Sequence, residues 1–336
     1  MKKKILLSTL LVVLLIAAFL AWQLFGASVK SPQKKYFYIS TGEDLGSVKK
    51  HLIDSQIING VTWFNLAAKI ADLNTVKPGR YKIEKGTSIT DLVRMLRNGT
   101  QTPVSLVITK LRTRESLAAR IGKNFECDSL AFIRFIENGD SLKQYGMDST
   151  TIMAMVMPYT YQINWTSQPS VIVEQFHKAW SRFWTDERKA KASAIGLTPI
   201  EVSTMASIIE EETNAASDKP YIASVYLNRI NAGMPLQADP TLKYAMRAFS
   251  LRRLYNVHMT VESPYNTYQN RGLPPGPICT PSLATIDAVL NAPKTDYYYF
   301  VASPKFDGTH VFTRNLTEHG AQARLYRAEL DKRNIR

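Results

Sequence analysis

Hydrophobic and polar positions split the chain into one unbroken apolar run and a long remainder with short periods. The run covers 5–27, carries no formal charge and follows Lys2, Lys3 and Lys4. About 20 apolar residues cross a bilayer core as a helix. A signal-peptide core is usually shorter, about 7–15 residues. The run therefore predicts a single uncleaved transmembrane helix, with a cytoplasmic tip at 1–4. The positive-inside rule supports that orientation, although Lys30, Lys34 and Lys35 reduce the asymmetry.

Beyond the run, "SVKSPQKK" at 28–35 reads as a polar linker, and "YFYIS" at 36–40 as a strand. Leu45, Val48, Leu52 and Ile53 recur at helical spacing, as do Trp63, Phe64, Ala67 and Ile70. Pro78-Gly79 predicts a turn, 81–84 a strand and Lys85-Gly86 a second turn. Ser88 can cap a helix through Leu92, Val93 and Leu96, with Asp91 three residues on and a stop at Asn98-Gly99. These elements make a small α+β module over 36–102.

The remainder, 103–336, reads as a larger mixed α+β domain. "VSLVIT" at 104–109 predicts a strand, and 117–121 begins a helix. Asp128 caps a helix that Gly139 should stop. An extended stretch is expected over 155–165, and a long helix with an apolar and aromatic stripe over 171–184. Thr198, Pro199 and Glu201 then mark the start of a central helix: cap, first-turn proline and capping-box acid. A helix over 220–233 follows, then a loop into a helical turn by 245. The proline- and glycine-rich stretch 262–282 predicts an ordered loop crossing a site. Strands at 296–303 and 309–313 should pair across Gly308, and a charged helix should fill 316–336.

The central helix ends in Glu210, Glu211 and Glu212. At about 100° per residue, Val202, Met205, Ile208 and Ile209 share a face, and Glu212 lies on it. Glu210 falls behind Ser203, Ala206 and Ser207, small residues able to floor a cleft. Glu211 points away from both and is expected in solvent. Acids favour the first turn of a helix, and these stand about three turns in, so the helix dipole does not explain them. Periodicity leaves Glu210 and Glu212 both open as the catalytic carboxylate.

The chain has 336 residues, 45% hydrophobic and 21% charged, with a formal net charge of +14. Such a basic excess suits a polyanion: nucleic acid, anionic lipid or an acidic wall polymer. Zinc-finger, RNA-binding and P-loop spacings are all missing, so nucleic acid is not expected. Cys127 and Cys279 form no CxxC, and whether they pair stays open. His258, His310 and His319 fit no metal spacing, and no nucleophile elbow supports Ser/His/Asp chemistry. Neither a metal nor a cofactor is expected.

At "ASIIEEET", "SVYLNRI", "LQADPT", "YNTY" and "GLPPGPI" the chain resembles the endolytic murein transglycosylases, the YceG-like family. "KPGRYKIEKGTSITDLVRMLRNG" and "YYYFVAS" with "GTHVFTRNLTEH" carry the resemblance further, over nearly all the chain after the apolar run. The resemblance implies a single-pass inner-membrane protein with a cytoplasmic N-terminus, a LysM-like module at 36–102 and a periplasmic catalytic domain at 103–336. It implies internal cleavage of nascent peptidoglycan strands between MurNAc and GlcNAc, leaving 1,6-anhydro-MurNAc ends and so ending strand elongation. It also implies wall synthases as partners. Glu210 takes the position of the family's catalytic glutamate, and Glu212 that of its second acid. One departure stands out: Met153-Ala154 replaces a Glu-Gly pair, and Tyr159 replaces an aspartate.

Hydrolytic glycosidases use two carboxylates. A lytic enzyme can manage with one, because the substrate's acetamido group assists at the anomeric carbon and its 6-hydroxyl replaces water. Glu210 would protonate the leaving oxygen and then deprotonate that hydroxyl, which calls for an acidity weakened by burial. Asn228, Gln237 and Asn266 are candidate partners for acetamido groups, and Tyr265 and Tyr268 for sugar faces. Two other readings compete: a non-catalytic wall-binding scaffold of the synthesis machinery, and an ordinary muramidase using water.

Overall fold

The structure, a computed structural model, describes residues 2–251 and 253–333. Met1 of the expected tip and the last three residues of the expected C-terminal helix lie outside them. The chain forms two compact units. One comprises 1–105, 124–127 and 162–168, and the other the remaining residues.

The first unit begins with α1 (Lys2–Phe25), the one described helix long and apolar enough to cross a membrane. Then come β1 (Phe37–Ile39), α2 (Leu45–Asp54), α3 (Thr62–Ile70), β2 (Gly79–Tyr81) and α4 (Ile89–Asn98). β1 and β2 pair antiparallel, Phe37 opposite Tyr81 and Ile39 opposite Gly79. The strand expected at 81–84 thus begins earlier, at Gly79 within the expected turn, and ends at Tyr81. Gly79 is needed there because a Cβ would come within 3.0 Å of the Gln101 side chain. Ile39, Val48, Leu52, Phe64, Leu92 and Leu96 form the buried core. Ser88 caps α4 by accepting from Asp91 N, and Gly99 ends it at φ 70°, where a side chain is disfavoured. The segment after α1 carries Val29 into this core, where its backbone bonds to Thr87 and Gly86. The last turn of α1 joins it too: Leu24 is buried, and the Thr90 hydroxyl donates to its carbonyl.

β3 (Val104–Val107) pairs with β4 (Thr160–Ile163). Helices dominate the second unit: α5 (Arg114–Asn124), α6 (Ser129–Glu137), α7 (Gly139–Lys143), α8 (Ile152–Met155), α9 (Pro169–Phe183) and α10 (Asp186–Ala194). Next come α11 (Pro199–Glu212), α12 (Lys219–Asn231), α13 (Asp239–Ala245) and α14 (Leu283–Leu290). β5 (Tyr299–Ala302) and β6 (His310–Thr313) form an antiparallel hairpin, and α15 (Leu316–Lys332) closes the described chain. Gly139 opens α7 instead of stopping the chain, because Asn138 re-caps it by accepting from Asp140 N. The stretch expected to be extended from 155 is preceded by the buried turn α8 and becomes strand only at Thr160.

α11 is the centre of this unit. Thr198 and Glu201 close a reciprocal capping box, with Pro199 in the first turn. Every residue from Val202 to Ile209 is buried, so the helix is enclosed all round, not on one face. α12, α13 and α14 surround it. The stripe of Ser203, Ala206 and Ser207 therefore floors no open cleft. Ser207 Oγ accepts from Ile278 N at 2.9 Å, and the small side chains admit that segment and α14 close to the helix.

Candidate active site at the end of the central helix

Because α11 is enclosed, its last turn delivers three carboxylates into three different surroundings. Successive residues are turned by about 100°, so Glu210 and Glu212 face nearly opposite ways.

Glu210 is met by α12 and α14. Its Oε2 accepts from Lys219 Nζ at 2.9 Å, from Ser282 Oγ at 3.0 Å and from the Thr285 hydroxyl. Lys219 Nζ also reaches Thr285 Oγ1 at 2.7 Å, and the Ser282 and Thr285 hydroxyls lie 2.8 Å apart. One oxygen is thus anchored threefold, and the other, Oε1, has no protein donor among the described residues. Burial alone would raise this carboxyl, but the Thr285, Lys219 and Ser282 bonds outweigh it and hold the group below its usual 4.5. That is opposite to the expected direction, and the reasons are the Thr285 hydroxyl first, then the Lys219 cation and the Ser282 hydroxyl. Lys110, from the segment before α5, donates to the Glu210 carbonyl at 3.3 Å.

Glu211 is not in open solvent. Lys110 Nζ stands 2.8 Å from its Oε1, and Arg112 grips both oxygens at 3.1 and 3.0 Å. Burial raises this carboxyl, and the Arg112 and Lys110 bonds override it and lower it. The pair ties α11 to the chain about a hundred residues earlier.

Glu212 is half-buried, and its Oε1 accepts from Tyr226 OH at 2.9 Å. Among the described residues no cation contacts it directly. Burial of the carboxyl, with nearby Asp239 adding to it, pushes it up to about 7, and the Tyr226 bond only partly offsets this. Of the three, Glu212 is the acid poised to carry a proton near neutrality.

The other expected site residues fall into two groups. Tyr265 and Tyr268 are half-buried. Tyr265 packs on Tyr244, with ring centroids 4.7 Å apart, and lines a hollow with Arg114, Arg247 and Met153. An adjoining hollow, lined by Arg112, Glu211, Lys243 and Phe249, shares Tyr244 with it. Together they form a basic, aromatic surface running from the end of α11. Met153, part of the departure from the family pattern, lies in this surface. Tyr268 OH donates to Asp239 Oδ1 at 2.5 Å, and both lie within electrostatic reach of Glu212. Gln237 is exposed with its backbone at φ 51°, a left-handed conformation uncommon for its residue type.

Asn228 and Asn266 act on the backbone. Asn228 Nδ2 donates to the carbonyls of Thr295 and Tyr297, each at 2.9 Å, tying α12 to the approach to β5. Asn266 is fully buried. Its amide donates to Met259 O and Val261 O and accepts from Tyr268 N, setting the loop that presents Tyr265 and Tyr268.

Lys219, Ser282 and Thr285 are the residues that sequence reasoning missed. Ser282 is the cap of α14, accepting from Thr285 N, and that Ser-x-x-Thr spacing was the available signal. His310 takes a bracing role: its backbone N and Nδ1 both contact Asp218 Oδ2, at 2.7 and 3.0 Å, next to Lys219. Cys127 and Cys279 do not pair with each other, and Cys279 is buried.

The YceG-like family profile matches residues 37–325. A protein of Bacillus subtilis named endolytic murein transglycosylase is 30% identical over 327 residues, spanning 90% of this chain and 89% of that one. A protein of the same name from Streptococcus pneumoniae is 26% identical over 324 residues. That match spans 87% of this chain but 58% of the streptococcal protein. A crystal structure of a YceG-like protein from Listeria monocytogenes superposes with a TM-score of 0.57 at 27% identity, covering 86% of this chain and 99% of that one. The match runs from the first strand through both strands of the final hairpin and takes in all three glutamates. On that extent, the chain belongs to the YceG-like family.

Proposed function

We propose that this protein is a membrane-anchored endolytic transglycosylase of peptidoglycan. It cleaves nascent strands between MurNAc and GlcNAc and leaves 1,6-anhydro-MurNAc ends, which stops elongation. The observation that carries the reading is Glu210, with Oε2 held by three donors and Oε1 by none among the described residues, in a chain whose relatives bear that name.

The anchored oxygen fixes the carboxyl, and the other exchanges the proton. Protonated Oε1 donates to the glycosidic oxygen as the C1–O bond breaks, while the substrate's acetamido group supports the electron-poor carbon. The carboxylate then takes the proton of the same sugar's 6-hydroxyl as its oxygen bonds to C1. The proton taken up replaces the one donated, and no water is consumed. At neutral pH a carboxyl held below its usual range is protonated in only a small fraction of molecules. A glycan strand covering Oε1 removes its water and raises that fraction at the moment it is needed. Glu212, already near 7, is the second acid, held on the opposite side of the helix end.

The aromatic surface suits the strand: Tyr244, Tyr265 and Phe249 offer faces to sugars, and Lys243 offers a cation to its carboxylates, while Arg112 and Arg247 are held by Glu211 and Glu115. The β1–α2–α3–β2–α4 unit supports the LysM-like reading of the small module, and α1 supports a single-pass anchor with the catalytic unit outside the cell membrane. Wall synthases are the natural partners for an enzyme acting on strands as they emerge. The test compares wild type and Glu210→Gln on un-crosslinked strands, with strand binding measured alongside. Cleavage should vanish and binding persist. Full cleavage by Glu210→Gln would remove Glu210 from the chemistry.

A further inference from the structure

α3 has two apolar faces, and the core uses one. Phe64, Ala67 and Ala68 are buried. Trp63, Leu66 and Ile70 form a second stripe at spacings of three and four, turned away from the first. Leu66 is 37% exposed, Ile70 67% exposed and Trp63 half-buried. Only Thr62, Asn65 and Lys69 make the remaining face polar. Such a wide apolar surface on a helix signals a partner of low polarity.

What covers it is fixed by α1. The Phe19 ring meets the Trp63 ring edge-on, with centroids 6.1 Å apart, and Phe19 also neighbours Trp22 at 6.4 Å. From Lys4 to Phe19 is fifteen residues, about 22 Å along a helix at about 1.5 Å per residue. The hydrocarbon core is about 30 Å thick. With the three lysines at the inner boundary, Phe19 lies inside the outer leaflet, and its neighbour Trp63 is carried to that depth. Phe19, Trp22, Phe25 and Trp63 then form the aromatic belt that membrane proteins place at this boundary. Lys69, beside Ile70, can lay its stem along the apolar stripe and put its ammonium among headgroup phosphates.

We infer that the Trp63–Leu66–Ile70 face of α3 is a second membrane contact, inserted in the outer leaflet beside α1. The bilayer thereby holds the whole first unit, not only its anchor. This rests on reading α1 as spanning the membrane. It is consistent with the last turn of α1 being built into the first unit through Leu24 and Thr90, with no free swivel between anchor and module.

The test uses the full chain in phosphatidylglycerol-containing nanodiscs, in a Cys127→Ser background with Cys279 buried. Nitroxide labels go at Val12→Cys in α1, Ile70→Cys on the proposed face, and Asn65→Cys on the polar face of the same helix. Collisions with oxygen report lipid, and collisions with a water-soluble nickel chelate report solvent. Positions 12 and 70 should both lose chelate relaxation and gain oxygen relaxation, while position 65 shows the reverse. A lipid-like label at 12 with a water-like label at 70 overturns the proposal and leaves the anchor standing. A water-like label at 12 overturns the anchor and the proposal with it.

Discussion

Replacing Lys219 by methionine removes the cation that holds Glu210 ionised while keeping most of its side-chain volume. The ammonium stands 2.9 Å from Glu210 Oε2, and both side chains are largely buried, at 13% and 17% exposure. At that distance a unit-charge pair is worth about 1.4 kcal/mol in water and about 6 kcal/mol at an effective dielectric of about 20. One pKa unit corresponds to about 1.4 kcal/mol. Ser282 and Thr285 still bond the carboxylate in the variant, so the Glu210 pKa should rise, but only part of the way back. In the proposed mechanism bond cleavage needs protonated Glu210, so the rate should fall as pH rises through that pKa. Raising the pKa moves the alkaline limb of kcat/KM upward by the same amount, and Lys219→Arg should restore it. Stability follows the same linkage. A depressed carboxylate contributes stability above its ordinary 4.5 and loses it as pH falls through the lowered value, so the variant should melt lower at pH 7 and close to wild type in acid. The assay is a pH series of strand cleavage with melting curves alongside. A rate loss with an unmoved alkaline limb would refute the electrostatic argument and leave Lys219 as packing only.

Two further substitutions probe the other side of the site. Glu212→Gln should stabilise the protein above pH 7 by about 3 kcal/mol, from a shift of about 2.5 units at about 1.4 kcal/mol each, and change little at pH 4. The sign is opposite to Glu210 because a carboxyl raised to about 7 opposes folding once it must ionise; equal melting shifts at both pH values would contradict this. Asn266→Ala removes the donor to Val261 O, one of the two donors to Met259 O, and the acceptor of Tyr268 N, a loss of about 1–3 kcal/mol, and should loosen the loop of Tyr265 and Tyr268. Thermal melts and hydrogen exchange across 259–270 measure it, and unchanged protection there would argue against the bracing role.

The signals legible in the sequence were the local ones. The Thr198–Glu201 box, the Ser88–Asp91 cap and the Asp128 cap act within one turn, so their residues announce them. Helical period separated the three glutamates correctly in direction. What it could not give was the neighbour in each direction. Glu211 was expected in water, yet Lys110 and Arg112 meet it from about a hundred residues earlier in the chain. Lys219 reaches Glu210 only because 213–218 folds α12 back along α11. α14 escaped notice because eight mostly apolar residues after a proline-rich loop show little period. α10 offered no apolar stripe to read: only Ala192 is buried in it. Asn228 and Asn266 were expected at the substrate because their motif carried them, whereas their amides are committed to backbone carbonyls.

The central claim is that the bond is broken without water. Full-length protein should be incubated with un-crosslinked strands in water enriched in oxygen-18, and the new ends weighed by mass spectrometry. The expected ends are one water lighter than reducing sugars and free of oxygen-18, formed by wild type and lacking with Glu210→Gln. Reducing ends carrying oxygen-18 would contradict the claim and make the protein a hydrolase.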